Sequence, residues 1–477
     1  MTGAAMSPAE TDLAARVVEL VRRAAGPAAQ AEVYADHHAL ALTRFANSYI
    51  HQNVAEAATT VWLRLHIDGR TAIGSTTLTE PDGLTDLVDR TLAAARLCPP
   101  DPAWPGLAGP APLHAAGLWD EQTAQAGPAE RAARVRDFVA AAAGLESAGY
   151  CRTVHRSTGF ANSAGQSAGG RTAEAAMDGV ARVAGSDGVA RQSVARLADL
   201  DPAALGARAA AKAQAGQQPI DLAPGRYAVV LEPTAVVDLL QMLARYGFAG
   251  KAHHERRSFV QLGQPQFDPA VSLIDDPLAG AGLPFDAEGT PTGRTVLVDA
   301  GTSMALTHDR RTAAEAGMAS TGHAAPGGVG WGPVAQHLRL VAADGPPTAP
   351  TAPTATGATG AEPTVAGPTG ADSAVLLSGM ERGLLVTDLW YTRVLDPRSL
   401  VVTGLTRNGV WLVESGEVVS AVRNLRFTQS YPQALAAGAV LGVGTALARL
   451  PEAWDSTSWH APALHLASWQ VTGGATG

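Results

Sequence analysis

Apolar and polar positions change period several times along the chain, and each change marks an element. Ser7-Pro8-Ala9-Glu10 has the makings of a helix start, with Ser at the cap, Pro just inside and an acid in the first turn. The pattern predicts a helix running to about Ala25 and stopping at Gly26-Pro27. Alternation then takes over. Ala31–Ala35, Leu40–Phe45, Tyr49–Asn53 and Thr60–Ile67 read as strands, with turns at Ala46-Asn47-Ser48 and at Asp68-Gly69, the latter a hairpin into Thr71–Thr76. Helical period returns at Pro81–Leu97, where Leu84, Leu87, Val88 and Leu92 form one stripe, and again at Ala129–Leu145 and Pro202–Ala215. Between these helices Gly149–Ser157 and Arg171–Ser186 read as strands. Phe160-Ala161-Asn162-Ser163 echoes Phe45-Ala46-Asn47-Ser48, which suggests an internal structural repeat.

After a link at Gln217–Pro224, the strand Tyr227–Leu231 feeds a helix over Pro233–Tyr246 with Val236, Val237, Leu239, Leu240 and Leu243 apolar. Ser258–Leu262, Val271–Asp275 and Gly293–Asp299 read as extended, and Leu306–Gly317 as a short helix that His308-Asp309-Arg310 would cap. Residues 344–371 are Pro, Thr, Ala and Gly with almost no large apolar side chain. Such a segment cannot bury enough surface to offset chain entropy, so it reads as a disordered insertion. Gly383–Phe427 then reads as a meander, with strands Leu384–Leu389, Leu400–Thr403, Val410–Glu414 and Val418–Val422. Its turns fall at Asp396-Pro397-Arg398, Asn408-Gly409 and Ser415-Gly416. A helix over Tyr431–Leu447 and a strand over Ala463–Val471 complete the reading. The fold class is α+β. Residues 1–220 form N-terminal helices packed on antiparallel sheet, and residues 221–477 form a β-rich, barrel-like domain interrupted at about 344–371.

Composition narrows the function. The chain has 477 residues, 46% hydrophobic, and a formal net charge of -9, which argues against the basic field that non-specific nucleic-acid binding needs. Two cysteines, Cys98 and Cys151, give neither a disulfide framework nor a thiolate cluster. The first segment is an amphipathic helix and not a signal peptide, and no apolar run is long enough for a membrane span. A soluble, cytoplasmic protein is the expectation. Polar groups recur at the ends of the meander strands, and Tyr391, Arg393, Arg407 and Asn408 are the candidates for a peptide-facing row, against the alternative of an ordinary solvated sheet edge.

WYTRVLDPRSLVVTGLTRNGVWLVESGEVVSAVRNLRF resembles the C-terminal region of the TldD/PmbA family, also labelled modulators of DNA gyrase. TRFANSYIHQN resembles the family's N-terminal strand-turn-strand. The order of SFVQLGQ, LIDDP and DRRTAAEAGMASTGHA extends the resemblance over nearly the whole chain outside the insertion. TldD-type members are zinc peptidases that carry HExxxH on the helix matching Pro233–Tyr246, and a third ligand, Cys, near the C-terminus. Counting back from SFVQLG places Met242 and Gly247 at the two His and Leu243 at the Glu. Counting forward from the strand places Gln241, Tyr246 and Met242 there. Neither register supplies a ligand or a base, and no Cys follows Cys151. The resemblance therefore implies the TldE/PmbA type: a subunit with no catalytic residue, metal site or cofactor of its own. It would pair with a TldD-type, HExxxH-bearing partner that holds the zinc, and would help to shape the chamber for an extended or leader peptide.

Other readings stay open. An unrecognised metal site could use His253, His254, His460 or His465, although adjacent His residues such as His253-His254 and His37-His38 point apart and rarely share an ion. The chain could instead be a subunit of a pathway-specific amide hydrolase acting on a small metabolite, or a homodimeric peptide-binding protein without peptidase activity. No nucleophile elbow, Walker A loop or dinucleotide fingerprint is present.

Overall fold

The computed structural model describes residues 9–113, 118–280, 282–327, 332–343, 369–451 and 457–475. Its first part is one plan used twice. Helix α1 (Ala9–Ala25) leads into the strands β1 (Gln30–Ala46), β2 (Tyr49–Ile67) and β3 (Arg70–Thr76), followed by α2 (Pro81–Leu97). After a single turn α3 (Glu121–Ala124), the plan repeats as α4 (Pro128–Ala141), β4 (Glu146–Asn162), β5 (Ser167–Val183), β6 (Ser186–Val194) and α5 (Pro202–Ala215). The six strands make one sheet in the order β3-β2-β1-β4-β5-β6, so the two meanders meet through their first strands. Each copy of the repeated Phe-Ala-Asn-Ser stands where the first strand of its meander ends.

The strands are longer than the polar interruptions suggest. Residues 36–39 and 54–59 continue β1 and β2 because their side chains find partners across the ladder. The Asp36 carboxylate accepts from Arg156 at 3.1 and 3.2 Å and from Thr158 at 2.7 Å, and His37 Nδ1 lies 3.0 Å from Thr59 Oγ1. The four long helices cover one face of this sheet. Val17, Val21, Leu84 and Leu87 pack on Val33, Val61 and Leu63, while Phe138 and Ala209 pack on Cys151 and Met177. Each large aliphatic side chain buried this way contributes about 1.5–3 kcal/mol.

The other face of the sheet is turned to the second part of the chain. There β7 (Gly225–Leu231) runs into α6 (Pro233–Met242), a π-helical turn at Leu243–Gly247 and α7 (Gly250–His254). Next come β8 (Val271–Asp275), β9 (Thr295–Asp299), β10 (Thr302–Ser303), α8 (Arg310–Ala316) and β11 (Leu338–Ala342). Helix α9 (Ala371–Leu377) precedes β12 (Arg382–Asp396), β13 (Val401–Glu414), β14 (Glu417–Ala421) and β15 (Leu425–Ser430). The last elements are α10 (Tyr431–Ala434), β16 (Val440–Val443), β17 (Ala448–Pro451), β18 (Ser458–Ala461) and β19 (Leu464–Gly474).

Two sheets result. One has the order β10-β9-β8-β11-β18-β17. The other runs β12-β7-β19-β15-β13, and β13 pairs again with β12, so five strands close into a barrel with β14 and β16 attached. Helix α6 is wedged between them. Its Ala235, Val236, Leu239 and Leu240 share a core with Leu273, Leu297 and Leu340 of the open sheet and with Leu384, Val402 and Phe427 of the barrel. The α+β architecture, with helices on antiparallel sheet and a β-rich barrel, is as the sequence predicts.

Four local expectations do not match. Asn408-Gly409 is not a hairpin turn. It lies inside β13 as a bulge, with two residues opposite Thr387, Asn408 at φ 60° and Gly409 at φ 128°. The Ala-rich Tyr431–Leu447 is helical only to Ala434, because Val440–Val443 is taken up as a strand by β19 and Gly438 turns the chain at φ 76°. Tertiary pairing overrides helix propensity there. Residues 258–262 are irregular. The helix Ala129–Leu145 ends earlier, at Ala141. Ser7 and residues 344–368 of the proposed insertion lie outside the described residues.

Candidate functional site

The helix that matters most for chemistry ends in a π turn. Phe248 N–H donates to Leu243 O at 2.9 Å, an i→i+5 bond. Such a turn brings positions five apart onto one face, which is the spacing of the two histidines in HExxxH. In this chain the positions five apart, Met242 and Gly247 or Gln241 and Tyr246, carry no histidine. At Gly247 a side chain has no room: a Cβ there would lie 2.9 Å from Phe259 Cε1. Phe259 belongs to an aromatic cluster with Phe248 and Phe267, at ring separations of 6.0 to 6.3 Å. In the other register, Gln241 and Tyr246 are an amide and a phenol. Neither set suits zinc, which prefers imidazole, thiolate and carboxylate, and among the described residues no group of three or more His, Cys, Asp or Glu could hold a metal ion. The acid on α6 is Asp238. Burial pushes it up to about 6 against the hydrogen bond donated by Tyr431.

Three of the four candidate peptide-facing residues, Tyr391, Arg393 and Arg407, lie together on the outer wall of the barrel. Trp390 and Tyr391 are 50% and 62% exposed at a bulge in β12, with Tyr391 at φ 55°. The Arg393 guanidinium lies over the Tyr391 ring at 4.1 Å, and that of Arg407 over the Trp390 ring at 4.5 Å. Asn408 is turned away from this row. Its amide donates to Asp388 at 3.0 Å, and Asp388 also accepts from Arg191 of β6 at 2.8 Å. Asn408 thus helps to pin the seam between the two parts of the chain.

The histidines do not converge as the metal alternative would need. His253 and His254 share the short α7 with rings 6.3 Å apart, and His254 meets His308 at 5.9 Å. Asp309, not His308, caps α8 by accepting from Thr312 N at 2.8 Å. His460 stands on β18, where burial and the neighbouring Arg449 and Arg339 depress it to about 3. His465 stands on β19 opposite Val230 and is lowered by burial.

Two buried polar clusters escape sequence reasoning. In one, His323 Nε2 lies 3.0 Å from Asp275 and the same carboxylate accepts from His337 N at 2.8 Å. Burial pushes Asp275 up, but the hydrogen bond from His323 and the charge beside it outweigh this and hold it low, while burial depresses His337 to about 4. In the other, Arg64 reaches Glu32 at 2.6 Å and Glu288 at 2.9 Å, joining the first sheet to a loop of the second part. Burial raises Glu32 and Asp286 there. The partners are 48 to 62 residues apart in the first cluster, and Arg64 and Glu288 are 224 apart in the second. No local pattern around His323 announces the first cluster.

A double three-stranded meander followed by a barrel, with a helix between barrel and sheet ending in a π turn, defines a class of two-part α+β proteins built around a closed five-stranded barrel. The model of the PmbA/TldA metallopeptidase C-terminal domain matches residues 224–473. The chain belongs to the PmbA/TldD family. TldE from Thermococcus kodakarensis has the same fold, at 16% identity and a TM-score of 0.81, covering 97% of this chain and all of that one. A Thermotoga maritima protein described as a proposed modulator of a DNA gyrase gives 19% identity and 0.76, over 97% of this chain and 99% of that one. A Bacteroides thetaiotaomicron protein of similar description gives 17% and 0.75, over 97% and 98%. An uncharacterised protein of Methanocaldococcus jannaschii is 33% identical over 104 residues, which is 21% of this chain and a quarter of that relative's length.

Proposed function

We propose that this chain is a TldE-like subunit of a heterodimeric zinc metallopeptidase, without a catalytic zinc of its own. The zinc belongs to a TldD-type partner bearing HExxxH, and this chain helps to form the chamber that holds an extended or leader peptide. The observation that carries the reading is the π turn at Leu243–Gly247, which keeps the i→i+5 geometry while Phe259 fills the space at Gly247. The family's ligand positions are occupied by packing. The chain's own part in the reaction is then to orient a peptide, through exposed Tyr391, Arg393 and Arg407 and through backbone groups of the sheet, and to exclude water around it.

Zinc content and peptidase activity test this, first for the chain alone and then for the chain co-expressed with an HExxxH-bearing homologue from the same source. The expected result is a zinc-free, inactive single chain and a pair with about one zinc per heterodimer, as one three-ligand site requires. Stoichiometric zinc and peptide cleavage by the single chain would sink the proposal.

A further inference from the structure

The outer wall of the barrel carries guanidinium groups that no carboxylate among the described residues pairs with. Arg393 on β12, Arg407 on β13 and Arg426 on β15 are all exposed, and among the described residues none of them enters an ion pair. The ladder places them on one surface. Trp390 faces Leu405, which faces Arg426, and Arg393 faces Thr403, which faces Thr428. Asp388 stands opposite Arg407, but its carboxylate is engaged by Arg191 and Asn408. Like charges on neighbouring strands repel. A cluster of this kind, in a chain whose net charge is -9, is complementary to an anionic occupant.

The stacking indicates which anion. Arg393 and Arg407 lie over Tyr391 and Trp390, which restrains each guanidinium. One Arg393 N–H donates to Thr392 O at 3.1 Å, and its remaining donors have no carboxylate partner among the described residues. A fixed fork of donors suits the bidentate geometry of a carboxylate. Each stacked guanidinium covers one face of its ring, which leaves less of a platform for nucleobases.

We propose that this wall reads acidic side chains of an extended peptide. Alternate side chains of such a segment lie on one face, about 7 Å apart, and Arg407 stands four residues along β13 from the partner of Arg393, so a peptide with carboxylates at every second position offers one to each of Arg393 and Arg407, with Arg426 beside them. This rests on the reading of the chain as a peptide-holding subunit and adds the class of peptide.

The test uses the full chain, alone and co-expressed with the HExxxH homologue. Short fluorescein-labelled peptides carry Glu, or Gln, at every second position, and an oligothymidylate of matching length is the third probe. Fluorescence anisotropy reads the affinities. The Glu peptide should bind at least about tenfold more tightly than the Gln peptide, and added salt should shrink the difference. Arg393→Gln with Arg407→Gln should erase the preference while leaving the circular dichroism spectrum unchanged. The double Lys variant, which keeps charge but not the fork, should retain part of it. Equal binding of the two peptides, or a preference that survives the double Gln variant, overturns this inference and leaves the subunit reading standing. Binding of neither peptide, by the chain or by the pair, overturns both. Oligothymidylate binding without a Glu preference makes the wall a nucleic-acid platform and also overturns it.

Discussion

At the scale of single residues, the chemistry of α6 is that of a core helix with one acid retained. Asp238 accepts from Tyr431 and is raised to about 6 by burial. The folded chain therefore holds this proton where the unfolded chain has released it. That part of the stability is present below about pH 4 and is lost as pH rises through about 6. Asp238→Asn keeps an acceptor for Tyr431 and removes the titration. We expect it to stabilise the chain at pH 7 by about 1–3 kcal/mol and to flatten the pH dependence between 4 and 6, as urea unfolding at several pH values would check. A midpoint that falls at pH 7 would show that the ionised carboxylate is needed. The absence of ligands at Gln241–Gly247 was legible in the sequence, since residue types are read directly. The reason that none fits was not legible, because Phe259 reaches Gly247 only through the π turn and the loop that follows it.

At the scale of elements, periodicity and turn chemistry located most helices and several turns. Asp68-Gly69 and Ser415-Gly416 are turns in the left-handed region, and Pro81–Leu97 is a helix with the bounds its stripe gives. Asn408-Gly409 has the same spelling as a hairpin turn and a different use, because strand length and not the dipeptide decides between turn and bulge. Gly409 is held there by contact as well as by dihedral: a Cβ would lie 2.1 Å from Trp411 Cη2 at φ 128°. Gly409→Ala should cost about 3 kcal/mol or more and disturb the environment of Trp411, seen as a lowered melting temperature and a shifted tryptophan emission. An unchanged melting temperature would mean that the bulge relaxes freely. The barrel wall was half legible. Tyr391, Arg393 and Arg407 stood out as polar residues at strand ends, but their mutual stacking follows from a bulge that no local pattern announces.

At the scale of the whole molecule, buried and half-buried ions sew the two parts together. Arg191 bridges Asp178 of its own sheet and Asp388 of the barrel at 2.8 Å each, and Lys212 and Arg208 of α5 both engage Glu232 ahead of α6. Removing one member leaves charge without compensation. Arg191→Met should destabilise by about 3–5 kcal/mol. Because burial already raises Asp178, mild acid should restore part of the loss, and a melt from pH 5 to 8 would reveal it. A pH-independent loss would assign the effect to packing.

The closed barrel also dictates an order of events during synthesis. Strand β7 lies between β12 and β19, and the Arg226–Ser468 hydrogen bond on the β7–β19 seam spans 242 positions. Contacts this distant in sequence form late and slowly. The six-stranded sheet can assemble as soon as Ala215 leaves the ribosome, whereas the barrel must wait as an open set of strands until β19 emerges. During that interval β7 and α6 expose apolar surface with no native cover. This makes the second part of the nascent chain the natural client of a chaperone and confines any assembly that depends on a finished barrel to the time after β19 has emerged.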